Sequence, residues 1–260
     1  MNKLACILTG LALLPPMAPA GAGEWFDVLA VTPVGSWQLR ETITTDHKGK
    51  KRVSVLRTSL IDAEKRGGEP YVWIETEVTN YKLKKKGERK KDGDTAVVKV
   101  LVKESALRGD PANIVNNLSG LGEEIIFQSG KNKPMKLSGG GAMAQGMMKA
   151  LGTKVTFDFQ EVGEEKVEIP AGNFVCTRVT GTGSAETKVL IKKIKVESES
   201  EMWLSAKVPF GLVKSLEQSK VNGKPQSGET VLLEYGDSGA VSKITEEPTS
   251  MPGFKNPFGR

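Results

Sequence analysis

Glu75 and Glu77 are the residues whose type and spacing come nearest to doing chemistry. In Tyr71 to Thr79, Val72, Ile74 and Val78 alternate with Tyr71, Trp73, Glu75 and Glu77. An extended backbone therefore puts both carboxylates on one face, roughly 7 Å apart. Such a pair can divide acid and base roles, as glycoside cleavage requires. The simpler reading is the wet face of a strand, because paired carboxylates alone are an unspecific signal. Tyr71 and Trp73 make that face amphipathic, so it could line the mouth of a cleft.

Histidine and cysteine offer less. His47 is the only histidine and sits in the polar turn Asp46-His47-Lys48-Gly49. Ser-His-Asp and Cys-His catalysis both need a histidine base within reach of the nucleophile, and nothing places His47 there. One histidine and one mature cysteine, Cys176, make no usual zinc site, so no metal and no cofactor are expected. Gly139-Gly140-Gly141 lacks the Gly-Lys-Ser/Thr ending that grips phosphate, and Gly181-Thr182-Gly183 lacks a third glycine and a following helix. Both read as turns or hinges.

The sharpest charge feature is Lys82, Lys84, Lys85, Lys86, Arg89, Lys90 and Lys91, between two strand-like runs. It reads first as a solvated hairpin tip. The functional alternative is docking to an anionic surface through Lys84, Lys85, Lys86, Arg89, Lys90 and Lys91. Nucleic acid is set aside, because no aromatic residue interleaves the run. A second cluster is Met135, Met143, Met147 and Met148. Met143, Met147, Ala150 and Leu151 share one face of a helix predicted over 139–151. They either fill a core or form a pliable apolar cover.

The elements that must position these residues are mostly strands. Period-two runs recur from Gly35 to Tyr235, punctuated by Lys48-Gly49-Lys50, Gly67-Gly68, Asp92-Gly93-Asp94 and Asn222-Gly223. A second helix is predicted over 110–120, capped by Asp110 with Pro111 at its first position. Leu121–Gln128 stays open between strand and helix. The expected fold is α+β: a single curved antiparallel sheet, or half-barrel, with the mid-chain helices covering its concave face. One domain is expected over 24–245, with a loose tail over 246–260. Val189-Leu190-Ile191 and Val231-Leu232-Leu233 place apolar groups on both faces, so a second layer, a ligand or a partner must cover one of them.

The N-terminus predicts export. Lys3, the apolar run Leu4–Leu14 and Ala18-Pro19-Ala20 form a secretory signal over 1–20, with an alternative cut after Ala22. The run is too short to span a bilayer, and no later run is long enough. Lys3-Leu4-Ala5-Cys6 lacks an apolar stretch before the cysteine, which argues against a lipoprotein. The chain of 260 residues carries a net charge of +6. An exported basic protein meets anionic lipid or wall polymer more readily than nucleic acid. Cys176, left alone once the signal is removed, is expected to be buried beside Phe174.

The order of elements resembles the LolA-like group of periplasmic proteins. The resemblance rests on the signal, on Tyr71-Val72-Trp73-Ile74-Glu75, on Ile169-Pro170-Ala171-Gly172-Asn173-Phe174 and on Met202 to Lys214. It implies a half-barrel that shelters acyl chains, and the group also includes sensors and proteins of unknown role. The resulting expectation is a periplasmic, non-catalytic carrier of a lipid or apolar ligand, held by Trp73, Met143, Met147, Met148 and Leu151. A docking module for an anionic membrane surface or an envelope protein is the alternative, and a carboxylate hydrolase comes third.

Overall fold

The computed structural model describes residues 32–84, 87–107, 121–139, 154–189 and 192–250. Among these residues thirteen strands form one sheet. A first meander contains β1 (Trp37–Thr45), β2 (Lys51–Arg66), β3 (Glu69–Leu83), β4 (Arg89–Lys91), β5 (Ala96–Lys103), β6 (Leu121–Ser129) and β7 (Met135–Ser138). A second contains β8 (Lys154–Ile169), β9 (Gly172–Val189), β10 (Lys192–Leu204), β11 (Leu212–Val221) and β12 (Lys224–Gly236); β13 (Thr249–Ser250) follows. The order across the sheet is β13-β7-β6-β5-β3-β2-β1-β12-β11-β10-β9-β8, with β4 beside β3. Every pairing is antiparallel except β13 with β7. The two meanders meet at one seam, where β1 pairs β12 from Trp37↔Gly236 to Thr45↔Ser227.

The hairpins sit where the turn residues require. Asn222 (φ 51°) and Gly223 (φ 77°) join β11 to β12, which is the positive-φ pair a two-residue hairpin needs. The α+β expectation is overturned. The described residues are nearly all strand, and their only helical residues are a 3₁₀ turn at Glu104–Leu107. The helices expected over 110–120 and 139–151 lie outside the described residues, apart from Gly139, which is in a turn. Leu121–Gln128 is strand.

Among the described residues the sheet covers itself in two ways. The first is curl. β9 and β12 stand three strand spacings apart, about 14 Å on a flat sheet. Yet the rings of Phe174 and Tyr235 lie 5.9 Å apart, and β8 also touches β12. The curl encloses Val167, Phe174, Cys176, Trp203, Val213 and Leu232, all buried.

The second is a C-terminal strap. After β12, Asp237 and Ser238 accept hydrogen bonds from the Ser36 hydroxyl (3.1 Å) and the Trp37 indole (3.2 Å). Ala240 N–H donates to the Gly35 carbonyl (2.8 Å). Ile244 then packs on Tyr71, Trp73, Leu101 and Ile126. Thr249 N–H donates to the Pro134 carbonyl (2.9 Å), and β13 pairs with β7. The segment from Glu246 to Ser250, read from composition as loose coil, thus ends as an edge strand.

Candidate ligand-binding face

The strap decides what Glu75 does. Its side chain accepts hydrogen bonds from the Ser242 hydroxyl (2.6 Å) and Lys243 N–H (2.8 Å), and the residue is only 3% exposed. A carboxylate used in this way ties one segment to another and has no free oxygen in a cleft. Glu77 sits opposite Arg57 in the β2–β3 register. Trp73 lies on the same face as Glu75, 8% exposed, beneath Ile244 and with the Lys99 ammonium 5.1 Å from its ring centroid. It is core. Met143, Met147, Met148 and Leu151 lie outside the described residues.

His47 is exposed at its turn. Asp46 shapes that turn by accepting from Lys48 N–H (2.9 Å) and Lys50 N–H (3.0 Å), and these bonds hold its carboxyl below the usual range. Cys176 is buried as expected, and burial pushes its thiol up to about 11. Gly181 and Gly183, expected in a turn, are strand residues of β9. A Cβ on Gly181 would lie 2.1 Å from Phe159, and one on Gly183 would lie 2.8 Å from Phe157. The two stacked phenyl rings of β8 therefore lie over bare backbone.

Much of the basic run is neutralised internally. Lys82 pairs with Asp92 (2.5 Å) and Lys84 with Glu88 (2.8 Å). Arg89 grips the buried Glu41 with two hydrogen bonds (2.5 and 3.0 Å). Lys90 and Lys91 are exposed and make no ion pair among the described residues, while Lys85 and Lys86 lie outside them. Lys91 also lines a surface cleft of about 590 Å³ with Lys131 and Lys243. A second cleft, of about 400 Å³, runs along β8–β11 past Asp158, Glu199 and Glu201. Glu201 is already paired with Arg178 at 2.8 Å. No group of three histidine, cysteine or acidic residues is placed to hold a metal among the described residues.

The opposite face of the first meander is different. Cross-strand register puts Gln38, Thr58, Thr76, Val98, Phe127 and Met135 in one row over β1, β2, β3, β5, β6 and β7. The row above runs Leu60, Ile74, Val100, Ile125, Leu137. The row below runs Leu232, Arg40, Leu56, Val78, Ala96. Towards β5–β7 these rows are apolar and half-buried, and Met135 is 37% exposed. Towards β1 and β2 they become buried and mixed: Gln38 at 1%, Arg40 at 5% and Thr58 at 7% exposure lie among the buried Leu60, Leu56 and Leu232. Leu107 of the 3₁₀ turn packs with Val72 and Val102, and Ile74 and Val100 lie against that cluster.

At the buried end, polar groups lack partners among the described residues. Arg40 donates one long hydrogen bond to the Thr58 hydroxyl (3.4 Å), and its Nε has no acceptor. Gln38 Oε1, two residues earlier on the same face, has no donor. Burial lowers the guanidinium to about 10, so it stays charged at neutral pH. A buried cation with no carboxylate beside it is costly. Sequence reasoning missed both residues. Alternation in Trp37-Gln38-Leu39-Arg40 assigns Gln38 and Arg40 to solvent, and only their place at the seam buries them.

A family model described as DUF3108-like matches residues 129–232, under half of the chain. This stretch holds the Ile169–Phe174 and Met202–Lys214 motifs, which form the β8–β9 hairpin and the β10–β11 strand pair with its buried loop. No link to the LolA-like group emerges. No curated protein matches. Solved structures similar to this chain include two from gut bacteria of related kinds. One, a "putative lipoprotein" from Parabacteroides distasonis, shares 16% identity over 79% of this chain and 96% of that chain, with a TM-score of 0.39. The other, a "putative exported protein with YmcC-like fold" from Bacteroides fragilis, shares 14% identity over 79% and 97%, with a TM-score of 0.38. At these scores, the architecture of the present chain rests on the register of its own strands.

Proposed function

We propose that this chain is an exported, non-catalytic binding protein that holds an acyl ligand against the half-open face of β3, β5, β6 and β7. One observation carries the reading. Val98, Ile125, Phe127 and Leu137, with Ile74 and Val100 at the margin against the Leu107 cluster, form a continuous apolar surface that neither the strap nor the sheet's curl covers among the described residues. Apolar area removed from water is worth about 25 cal/mol per Å². A chain lying across four strands therefore gains enough to offset its immobilisation. The signal-like segment over 1–20 supports export. The consumption of Glu75 by the strap removes the best catalytic pair and supports a non-catalytic role.

The test is native mass spectrometry of protein isolated from the envelope, followed by lipid extraction and titration of the delipidated protein with palmitate, palmitoyl lysophosphatidate and methyl palmitate. Val98→Asp is expected to weaken binding at least tenfold. Val175→Asp, at a site 51% exposed on β9, is expected to leave it unchanged. No co-purifying lipid together with no uptake of palmitate, palmitoyl lysophosphatidate or methyl palmitate by the wild type would refute the reading.

A second reading rests on Lys90, Lys91, Lys131 and Lys243, which present free or cleft-lining cations next to one another. It makes this corner a docking point on anionic lipid headgroups. The two readings are compatible, because the lysine cleft and the apolar rows use opposite faces of the sheet.

A further inference from the structure

We infer that Arg40, with Gln38, is the head-group site for the bound amphiphile, and that the ligand is an acid on a single acyl chain. The inference rests on the acyl-binding reading above and adds the chemistry of the ligand's polar end.

Four observations converge on it. Arg40 is 5% exposed, and its Nε donates to nothing among the described residues. The register surrounds it with Leu56, Leu232, Thr42, Ser54 and Thr230, none of them a carboxylate. Glu41, the acidic neighbour in sequence, points to the other face and is held by Arg89. Gln38 Oε1, aligned with Arg40 on β1, accepts nothing, and amide orientation can exchange with the neighbouring NH₂. A carboxylate or phosphate oxygen placed between the two would take the Arg40 Nε–H and an amide N–H. This would turn an isolated buried cation into a charge-assisted pair.

Direction and length agree. Arg40 and Gln38 stand at the buried end of the rows, among Leu56, Leu60 and Leu232, and the other end, half-buried and apolar, opens towards β6 and β7. From β1 to β6 is four strand spacings, about 19 Å. That is close to the length of an extended long-chain fatty acid. Thr58 and Thr76 grade the surface from the charge to Val98 and Phe127.

The experiment compares palmitate, palmitoyl lysophosphatidate and uncharged methyl palmitate on the delipidated wild-type protein, by native mass spectrometry and calorimetry. The expected result is at least a tenfold preference for an acid over the ester. The acid bound more tightly identifies carboxylate or phosphate as the natural head. Arg40→Met should abolish the preference while leaving ester binding intact. It should also leave the protein at least as stable, since an apolar side chain replaces an unpaired charge. Arg40→Lys keeps a charge without the planar fork and should retain a reduced preference, which covers the case in which Arg40→Met does not fold. Equal binding of acid and ester by the wild type overturns the head-group assignment and leaves the acyl-binding reading standing. Failure of all three probes to bind overturns that reading, and this inference falls with it.

Discussion

Removing the Glu75 carboxylate tests whether this residue is an anchor or a catalyst. In Glu75→Ala the Ser242 hydroxyl and Lys243 N–H lose their acceptor at a site only 3% exposed. Hydrogen bonds to a charged group contribute about 1.5–3 kcal/mol each, and buried donors left without partners carry their desolvation cost. Local relaxation and entering water recover part of that, so the expected loss is about 3 kcal/mol. In a domain of this size it corresponds to a fall in Tm of about 6–12 °C. Glu75→Gln keeps one acceptor but turns an NH₂ group towards the second donor, and should lose about half as much. Ser242→Ala removes one hydrogen bond and should cost about 1 kcal/mol. The double variant should cost less than the sum, because the two residues share one network. Urea unfolding followed by tryptophan fluorescence gives these values. Hydrogen exchange gives their location, with residues 240–250 losing protection before the sheet does. A Glu75→Ala protein within about 0.5 kcal/mol of wild type, with an unchanged strap, would refute the anchoring argument.

Four further outcomes follow from the placement of named residues. With its thiol pushed by burial from an ordinary 9.0 up to about 11, Cys176 carries about a hundredfold less thiolate at pH 8, so disulfide reagents should label it only after unfolding; rapid native labelling would contradict its burial. The same shift means the folded state keeps its proton longer, so this residue's contribution to stability falls as pH rises from about 9 to 11. Gly181→Ala should destabilise by about 1–3 kcal/mol because its Cβ meets the Phe159 ring at 2.1 Å, and pairing it with Phe159→Ala should recover part of the loss; both are read from thermal melts. Lys90→Glu with Lys91→Glu should abolish sedimentation with phosphatidylglycerol vesicles without altering Tm, and unchanged sedimentation would remove the docking reading.

Strand periodicity and turn chemistry were legible because both are local. Asn222-Gly223 and Gly67-Gly68 fall where hairpins turn, and the alternation in Tyr71–Thr79 continues throughout β3. The cover of the sheet was not legible. Helices were the expected cover, but among the described residues it comes from curl and from a strap that meets Glu75 about 167 residues later in sequence. No local pattern encodes such a contact, and Ile244 is a single apolar residue in a polar segment. Phe157-x-Phe159 and Gly181-x-Gly183 did carry a signal, since bulky and bare positions of equal period fit face to face across two strands. The buried end at Arg40 defeats period-two reasoning altogether. A residue's face is set by alternation, but its exposure is set by where the strand stands in the sheet.

The seam between β1 and β12 has a consequence for the life of the chain before it folds. Trp37 pairs with Gly236, so a central strand of the sheet waits for nearly the last one to be synthesised. Until then β1 has only β2 beside it. Contacts of such long sequence separation form slowly, because the intervening chain must be ordered before they are rewarded. A protein built in this way cannot close its sheet until residues 227–236 have been synthesised. Under the exported reading proposed above, that delay is an asset: a chain that must thread a narrow channel stays threadable for longer and closes its sheet on the far side.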